Sequence, residues 1–153
     1  MAPDRTKESA LWGWLREGLK RMKAPKHVQR IEDTTKSGTP DVEGCIEGRA
    51  FWVELKVAYE QLTKGTVRVK TTVHQVYFAI KRRQAGGLSW YLIRVGTHPK
   101  WEHYLIPGQH AEELLERPIS LERLRNLSAV RPDSRPEDIM MAASWAEGAL
   151  QDH

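Results

Sequence analysis

The chain has 153 residues, 40% of them hydrophobic and 29% charged, with 24 Lys and Arg against 20 Asp and Glu. That suits one folded domain and excludes wholesale disorder, while the single Cys45 excludes a disulfide framework and a multi-cysteine zinc site. No apolar run approaches the roughly 20 residues of a membrane span, and the charged N-terminus lacks a secretory apolar core, so a cytoplasmic protein is expected.

In chain order, residues 8–23 predict a helix. Leu11, Leu15, Leu19 and Met22 recur at three- and four-residue steps, Thr6 is a candidate N-cap, and Pro25 ends the run. Gly13 and Gly18 weaken it. Residues 27–33 predict a short strand and 36–40 a turn. Residues 41–46 predict a strand joined through Gly48 to a second one over 49–57. This second strand is the clearest in the chain. Phe51, Val53, Leu55 and Val57 fall on one face, and Ala50, Trp52, Glu54 and Lys56 on the other. A basic loop over 58–70 follows. Residues 71–85 then predict a helix with Val73, Val76, Tyr77 and Ile80 as its apolar stripe, stopped by Gly86 and Gly87. Residues 88–95 predict a buried strand and 101–107 a further candidate. The remainder predicts helices over 109–117, from a Ser120 cap to Leu127, and over 136–149 behind Pro136. The succession is that of a layered α/β or α+β domain.

Charge is unevenly distributed. Net charge is +5 over residues 1–30, −4 over 31–60, +8 over 61–100 and −5 over 101–153. An acid-rich stretch between basic ones suits a polyanion held over a cation site, and equally four solvated surfaces. The chemistry concentrates in Asp41, Glu54 and Lys56. Asp41 follows the turn Gly38-Thr39-Pro40, and Glu54 and Lys56 project from one face of a strand whose other face is apolar. Two carboxylates from adjacent strands make a hard oxygen site that suits Mg²⁺ or Mn²⁺. A neighbouring Lys can orient water or stabilise charge on a phosphoryl oxygen. Glu-x-Lys pairs also occur on ordinary solvated strands; the apolar opposite face and the basic helix that follows distinguish this one. No Gly-rich phosphate loop is present, so no nucleotide cofactor is expected.

Gly38-Thr39-Pro40-Asp41 followed by Glu54-Leu55-Lys56 resembles the PD-(D/E)XK nuclease superfamily. More narrowly, the chain is similar to small VRR-NUC-type and phage-encoded endonucleases, and more loosely to archaeal Holliday-junction resolvases. Arg30-Ile31-Glu32-Asp33 before the turn and Thr72-Val73-His74-Gln75 opening the next helix add to the likeness, which covers about residues 8–96. The resemblance implies a restriction-endonuclease-like core, a mixed sheet flanked by helices in the order α-β-β-β-α-β. A C-terminal helical extension over about 108–150 would complete a single domain spanning 1–153.

The resemblance also implies metal-dependent hydrolysis of DNA backbone phosphodiesters in phage or mobile-element processing, repair or recombination, within a bacterial host. Asp41 and Glu54 would ligate Mg²⁺ or Mn²⁺ with the backbone carbonyl of Leu55, Lys56 would be the catalytic lysine, and Gln75 would stand beside it. Glu8 is the best match for an outer carboxylate, with Glu17, Glu32 and Asp33 as competitors. Many relatives act as dimers, so a homodimer is also implied. The loop over 57–70 is longer than a minimal member needs. Lys64, Arg68 and Lys70 there read equally as phosphate contacts or as a solvated loop, and Lys81, Arg82 and Arg83 as phosphate contacts or as a basic helix end. Trp12, Trp14 and Trp90 read as packing residues, with Trp52 a candidate for base stacking, and Cys45 as a small buried apolar residue. A binding module without catalysis, or an interaction subunit using the acidic 101–153 region, are the competing readings.

Overall fold

The structure, a computed structural model, describes residues 3–31, 38–58 and 64–145, with the backbone alone for 3–6. Helix α1 (Pro3–Arg21) opens the chain. It starts five residues earlier than the periodicity suggests, because Pro3 has the backbone angle of a first helical turn; Thr6 therefore lies inside the helix and is not its cap. Strands β1 (Lys26–Arg30), β2 (Val42–Ile46) and β3 (Arg49–Ala58) follow. Glu47 and Gly48 join β2 to β3, both with positive φ, as a tight hairpin turn requires. Strand β4 (Thr66–Val67) is short, and helix α2 (Val73–Gln84) carries the chain to β5 (Ser89–Thr97).

The remaining elements are β6 (Lys100–Pro107), a 3₁₀ turn over Gly108–Leu114, β7 (Ile119–Ser120), α3 (Leu121–Leu127) and α4 (Pro136–Ala143). Ser120 caps α3 through its hydroxyl, as expected. The 109–117 region is 3₁₀ rather than α-helical, since Glu116 has a positive φ and Pro118 blocks continuation.

The main sheet has the order β1-β2-β3-β5-β6. Only the β3–β5 pair is parallel, joined by the α2 crossover, and the rest are antiparallel. The α-β-β-β-α-β order is present, and β6 adds a fifth strand beyond it. A separate ribbon pairs β4 with β7.

Each sheet face has its own core. Phe51, Val53, Leu55, Leu92 and Leu105 meet Leu11, Leu15 and Leu19 of α1 and Ile139, Met140 and Ala143 of α4. Tyr91, Ile93, Val95, Tyr104 and Ile106 meet Val76 and Ala79 of α2 and the segment from Ala111 to Leu124. The C-terminal region thus packs on both faces. Gly18, awkward for a helix, has a packing reason: a Cβ there would lie 2.6 Å from Pro136 Cβ, so glycine lets α1 and α4 approach closely. Cys45 is half-buried rather than in the core, because β2 has only the edge strand β1 on that side.

Helix α2 turns differently from its expected stripe. Val76 and Ala79 face the sheet, whereas Val73 and Tyr77 are 60% and 59% exposed. The small Ala79 permits a close approach at which Ser89 Oγ donates to Ala79 O at 2.7 Å. That contact fixes the helix rotation and leaves Tyr77 outside.

Candidate active site

Glu54 and Lys56 project from β3 toward α2. Their alternation with Val53 and Leu55, which fill the α1 side, sends them to that face. Both are deeply placed, 4% and 8% exposed. Lys56 Nζ lies 3.4 Å from Glu54 Oε2. Asp41 sits at the mouth of β2, where its Oδ2 accepts from the backbone N–H of Leu55 at 2.9 Å. The turn before it is pressed onto α2: a Cβ on Gly38, whose φ is +85°, would lie 2.5 Å from His74 O.

Gln75 joins the opposite charges. Its Nε2 donates to Glu54 Oε2 at 3.0 Å, and its Oε1 accepts from Lys56 Nζ at 3.0 Å. The same oxygen accepts from Thr71 Oγ1 at 3.0 Å and from the Thr72 N–H at 3.1 Å. Thr72 Oγ1 in turn accepts from the Gln75 N–H, closing a capping box at the start of α2. Thr71 also shares a 2.7 Å hydrogen bond with the hydroxyl of Tyr91, which lies beside Glu54 in the parallel register. Thr71 and Tyr91 are absent from the set read from the sequence. The Thr-x-x-Gln spacing of the capping box was the available signal for this backing shell.

Glu54 Oε1 is buried and has no hydrogen-bond partner among the described residues. Burial first, and then the negative charge of Asp41, push the Glu54 carboxyl up to about 9, against an opposing pull from Lys56. The carboxyl is therefore held toward its protonated form in the metal-free protein. A divalent cation fits here chemically: it satisfies the orphaned oxygen and relieves the repulsion between the two carboxylates. Among the described residues, no group of three or more His, Cys, Asp or Glu side chains is placed to hold a metal. Asp41 and Glu54 are thus a two-carboxylate set, the kind that Mg²⁺ takes together with retained waters.

Glu8 lines a cleft of about 250 Å³ with Lys56, Val57, Lys70, Thr71, Thr72 and Gln75, next to the buried Glu54. It stands at the rim and does not join Asp41 and Glu54 as a third carboxylate. Glu17 is exposed and paired with Lys20 at 3.3 Å, and Glu32 and Asp33 fall outside the described residues.

Of the basic candidates, Lys70 reaches the cleft, whereas Lys64 and Arg68 are exposed on the ribbon side, with Arg68 Nη1 3.5 Å from Glu116 O. Lys81 and Arg82 lie on the outer face of α2. Arg83 does not: its Nε donates to Ser89 O at 3.0 Å and its guanidinium lies 4.4 Å from the Trp90 ring centroid. It tethers α2 to β5. Trp52 is covered edge-on by Phe78 at 5.5 Å and by Arg82, so its ring is packed rather than open to a base. Trp90 is core, with its Nε1 donating to Ala143 O at 2.9 Å.

No protein-family model and no curated protein matches the sequence. Among solved structures the chain is similar to a Holliday junction resolvase from the archaeal hyperthermophile Archaeoglobus fulgidus. The TM-score is 0.50 and the identity 17%, over 84% of this chain and 98% of that one. A VRR_NUC domain is also similar, with a TM-score of 0.42 and 18% identity over 72% of this chain and 96% of the other. The fold is thus one that this resolvase shares, here a five-stranded mixed sheet flanked by helices.

Proposed function

We propose that this protein is a metal-dependent DNA endonuclease whose active site is Asp41, Glu54, Lys56 and Gln75. The observation that carries the reading is the buried, unpartnered Glu54 Oε1 beside Asp41, with the Lys56 ammonium 3.4 Å from the same carboxyl group. A carboxyl held at such a cost in desolvation, behind the Lys56 and Gln75 that line a cleft, is what a cation site requires and what a solvated strand face does not.

Asp41, Glu54 and the Leu55 carbonyl would hold Mg²⁺ or Mn²⁺, which when bound supplies Lewis-acid polarisation of the phosphodiester and a more acidic water. The chain's own groups do the rest. The Leu55 N–H orients the Asp41 carboxylate. The Gln75 amide fixes Lys56 and Glu54 against rotation, so their geometry is set before substrate arrives. Lys56, a charged donor on a rigid strand, stabilises the negative charge that grows on the phosphoryl oxygen as water attacks phosphorus and the 3′ oxygen departs. The ends are 5′-phosphate and 3′-hydroxyl. Glu8 at the rim orients an outer water, and Lys70 contacts the backbone flanking the cleft. Processing, repair or recombination of phage or mobile-element DNA is the setting this assignment suits, with action as a homodimer on paired strands.

The test is incubation with supercoiled plasmid and with labelled single-stranded and branched DNA, with Mg²⁺, Mn²⁺ or EDTA. We expect metal-dependent nicking that Lys56→Ala lowers by at least about 10²–10³-fold without changing its circular dichroism. DNA that is bound but uncut with every metal would replace the enzyme by a binding module. Absence of any DNA binding would leave the interaction-subunit reading.

A further inference from the structure

Helix α2 has a second functional flank. Gln75 faces Glu54 and Lys56, whereas His74, Tyr77, Phe78, Lys81, Arg82 and Ala85 line a groove of about 420 Å³ on the outward side. Tyr77 is 59% exposed there, and Val73, one turn earlier, is 60% exposed. Two large apolar side chains one turn apart on solvent need an occupant more than a single exposed residue does. The surroundings define its charge. Residues 61–100 contain eight Lys and Arg and no Asp or Glu, so no carboxylate of this stretch opposes an anion in the groove. Lys81 Nζ lies 5.0 Å from the Tyr77 ring centroid. The Arg82 guanidinium is held 5.1 Å from Phe78 and 5.6 Å from Trp52. The groove thus holds an exposed aromatic ring beside Lys81, with Arg82 fixed on Phe78 and Trp52 in the same lining, an arrangement that receives a nucleotide by its base and its phosphate together.

We propose that this groove binds an unpaired DNA base, stacked on Tyr77, with its flanking phosphates on Lys81 and Arg82. This rests on the nuclease reading and names the substrate class of that same site, DNA carrying an unpaired stretch next to the bond to be cut. Fully paired duplex keeps its bases inside the stack and offers Tyr77 only its backbone. A second copy of this chain is the poorer occupant. Two α2 helices packed by a two-fold axis would gather both copies of Lys81 and Arg82 in one interface with no acidic residue in the helix to offset them.

The test is fluorescence anisotropy in EDTA, so that nothing is cut, with a labelled single-stranded oligonucleotide and the same sequence as blunt duplex. Wild type, Tyr77→Ala and Tyr77→Phe are compared, with sedimentation velocity and plasmid nicking alongside. We expect Tyr77→Ala to weaken single-strand binding by about five- to a hundredfold, the range of one base–aromatic stack, with duplex affinity unchanged. Tyr77→Phe, which keeps the ring, should bind as wild type. Unchanged single-strand affinity in Tyr77→Ala, an equal loss on duplex, or a loss in Tyr77→Phe matching that in Tyr77→Ala overturns the proposal. So does a wild-type dimer that Tyr77→Ala dissociates. If these results come with intact metal-dependent nicking, this inference fails alone. If wild type binds neither DNA form and never nicks, the nuclease reading has failed with it.

Discussion

On one face of the sheet Glu54 and Lys56 lie beneath α2, and on the other Arg94 and His103 lie against α1. All four are buried, on three strands of one sheet. The two clusters treat their charge in opposite ways. Arg94 Nε donates to His103 Nε2 at 3.0 Å, and the guanidinium lies 5.3 Å from Trp14 and 5.0 Å from Trp101. His103 stacks on Trp14 at 4.1 Å with the rings 6° from parallel. Burial and the adjacent Arg94 hold the imidazole down at about 3, so it stays neutral and serves as an acceptor. That cluster is closed by aromatic rings. The cluster of Glu54 keeps an oxygen without a partner and a carboxyl forced toward its protonated form, beside a cleft. Burial alone therefore does not mark a functional charge. What sets the Glu54 cluster apart is a buried acceptor left unsatisfied next to Lys56 and Gln75, which line an open cleft.

The strongest way to break this contrast is Glu54→Gln. Cleavage should be lost altogether while the fold becomes more stable, by about 1 kcal/mol or ~3 °C in Tm at pH 8, because the wild-type carboxyl must take up a proton to fold at that pH and a neutral amide need not. The folded carboxyl titrates near 9 and the unfolded one near 4.5, so the native state holds the extra proton between them. Wild-type stability therefore falls as pH rises through that window, and Glu54→Gln should flatten the slope. A cation must displace the same proton, so Mn²⁺ affinity should rise with pH up to about 9, with proton release seen by calorimetry in buffers of different ionisation heat. A flat profile would remove Glu54 from the metal site.

Arg94→Met should do the reverse. Removing the donor leaves His103 Nε2 buried without it, a loss of about 1–3 kcal/mol, or roughly 3–10 °C in Tm, with the metal dependence of cleavage intact. Loss of cleavage in a folded Arg94→Met protein would erase the distinction between the two clusters. The smallest change with pH should come from His103→Phe. The depressed imidazole gives stability that is present above the unfolded value of 6.5 and lost as pH falls toward 3. Urea titrations at pH 5 and pH 8 should show a smaller acid loss in the variant than in wild type.

Much of this was legible where periodicity is local. The alternation over Arg49–Ala58 put Glu54 and Lys56 on one face and Leu55 on the other without any knowledge of neighbours, and Pro40-Asp41 set the mouth of the adjacent strand. The rotation of α2 was not legible. Its sequence carries apolar residues around more than one flank, and the contact of Ser89 with Ala79, ten residues apart, decides which of them faces the sheet. The roles of Arg83, as a tether, and of Gly18, as the seat of Pro136, likewise depend on partners distant in the chain. Glu8 was placed near the site by likeness alone, and its position at the rim rather than beside Asp41 depends on the docking of α1.

The capping box gives Gln75 two employments, because the oxygen that accepts from the Thr72 N–H also holds Lys56. Fraying of the first turn of α2 and disarming of the site are consequently one event. Breaking the turn releases the ammonium, and pulling the ammonium away weakens the turn. The amide protons of Gln75 and Val76, bonded to Thr72 Oγ1 and Thr72 O, report on that event directly. Their exchange protection measures the fraction of molecules whose lysine is in position, a quantity ordinarily inferred from turnover.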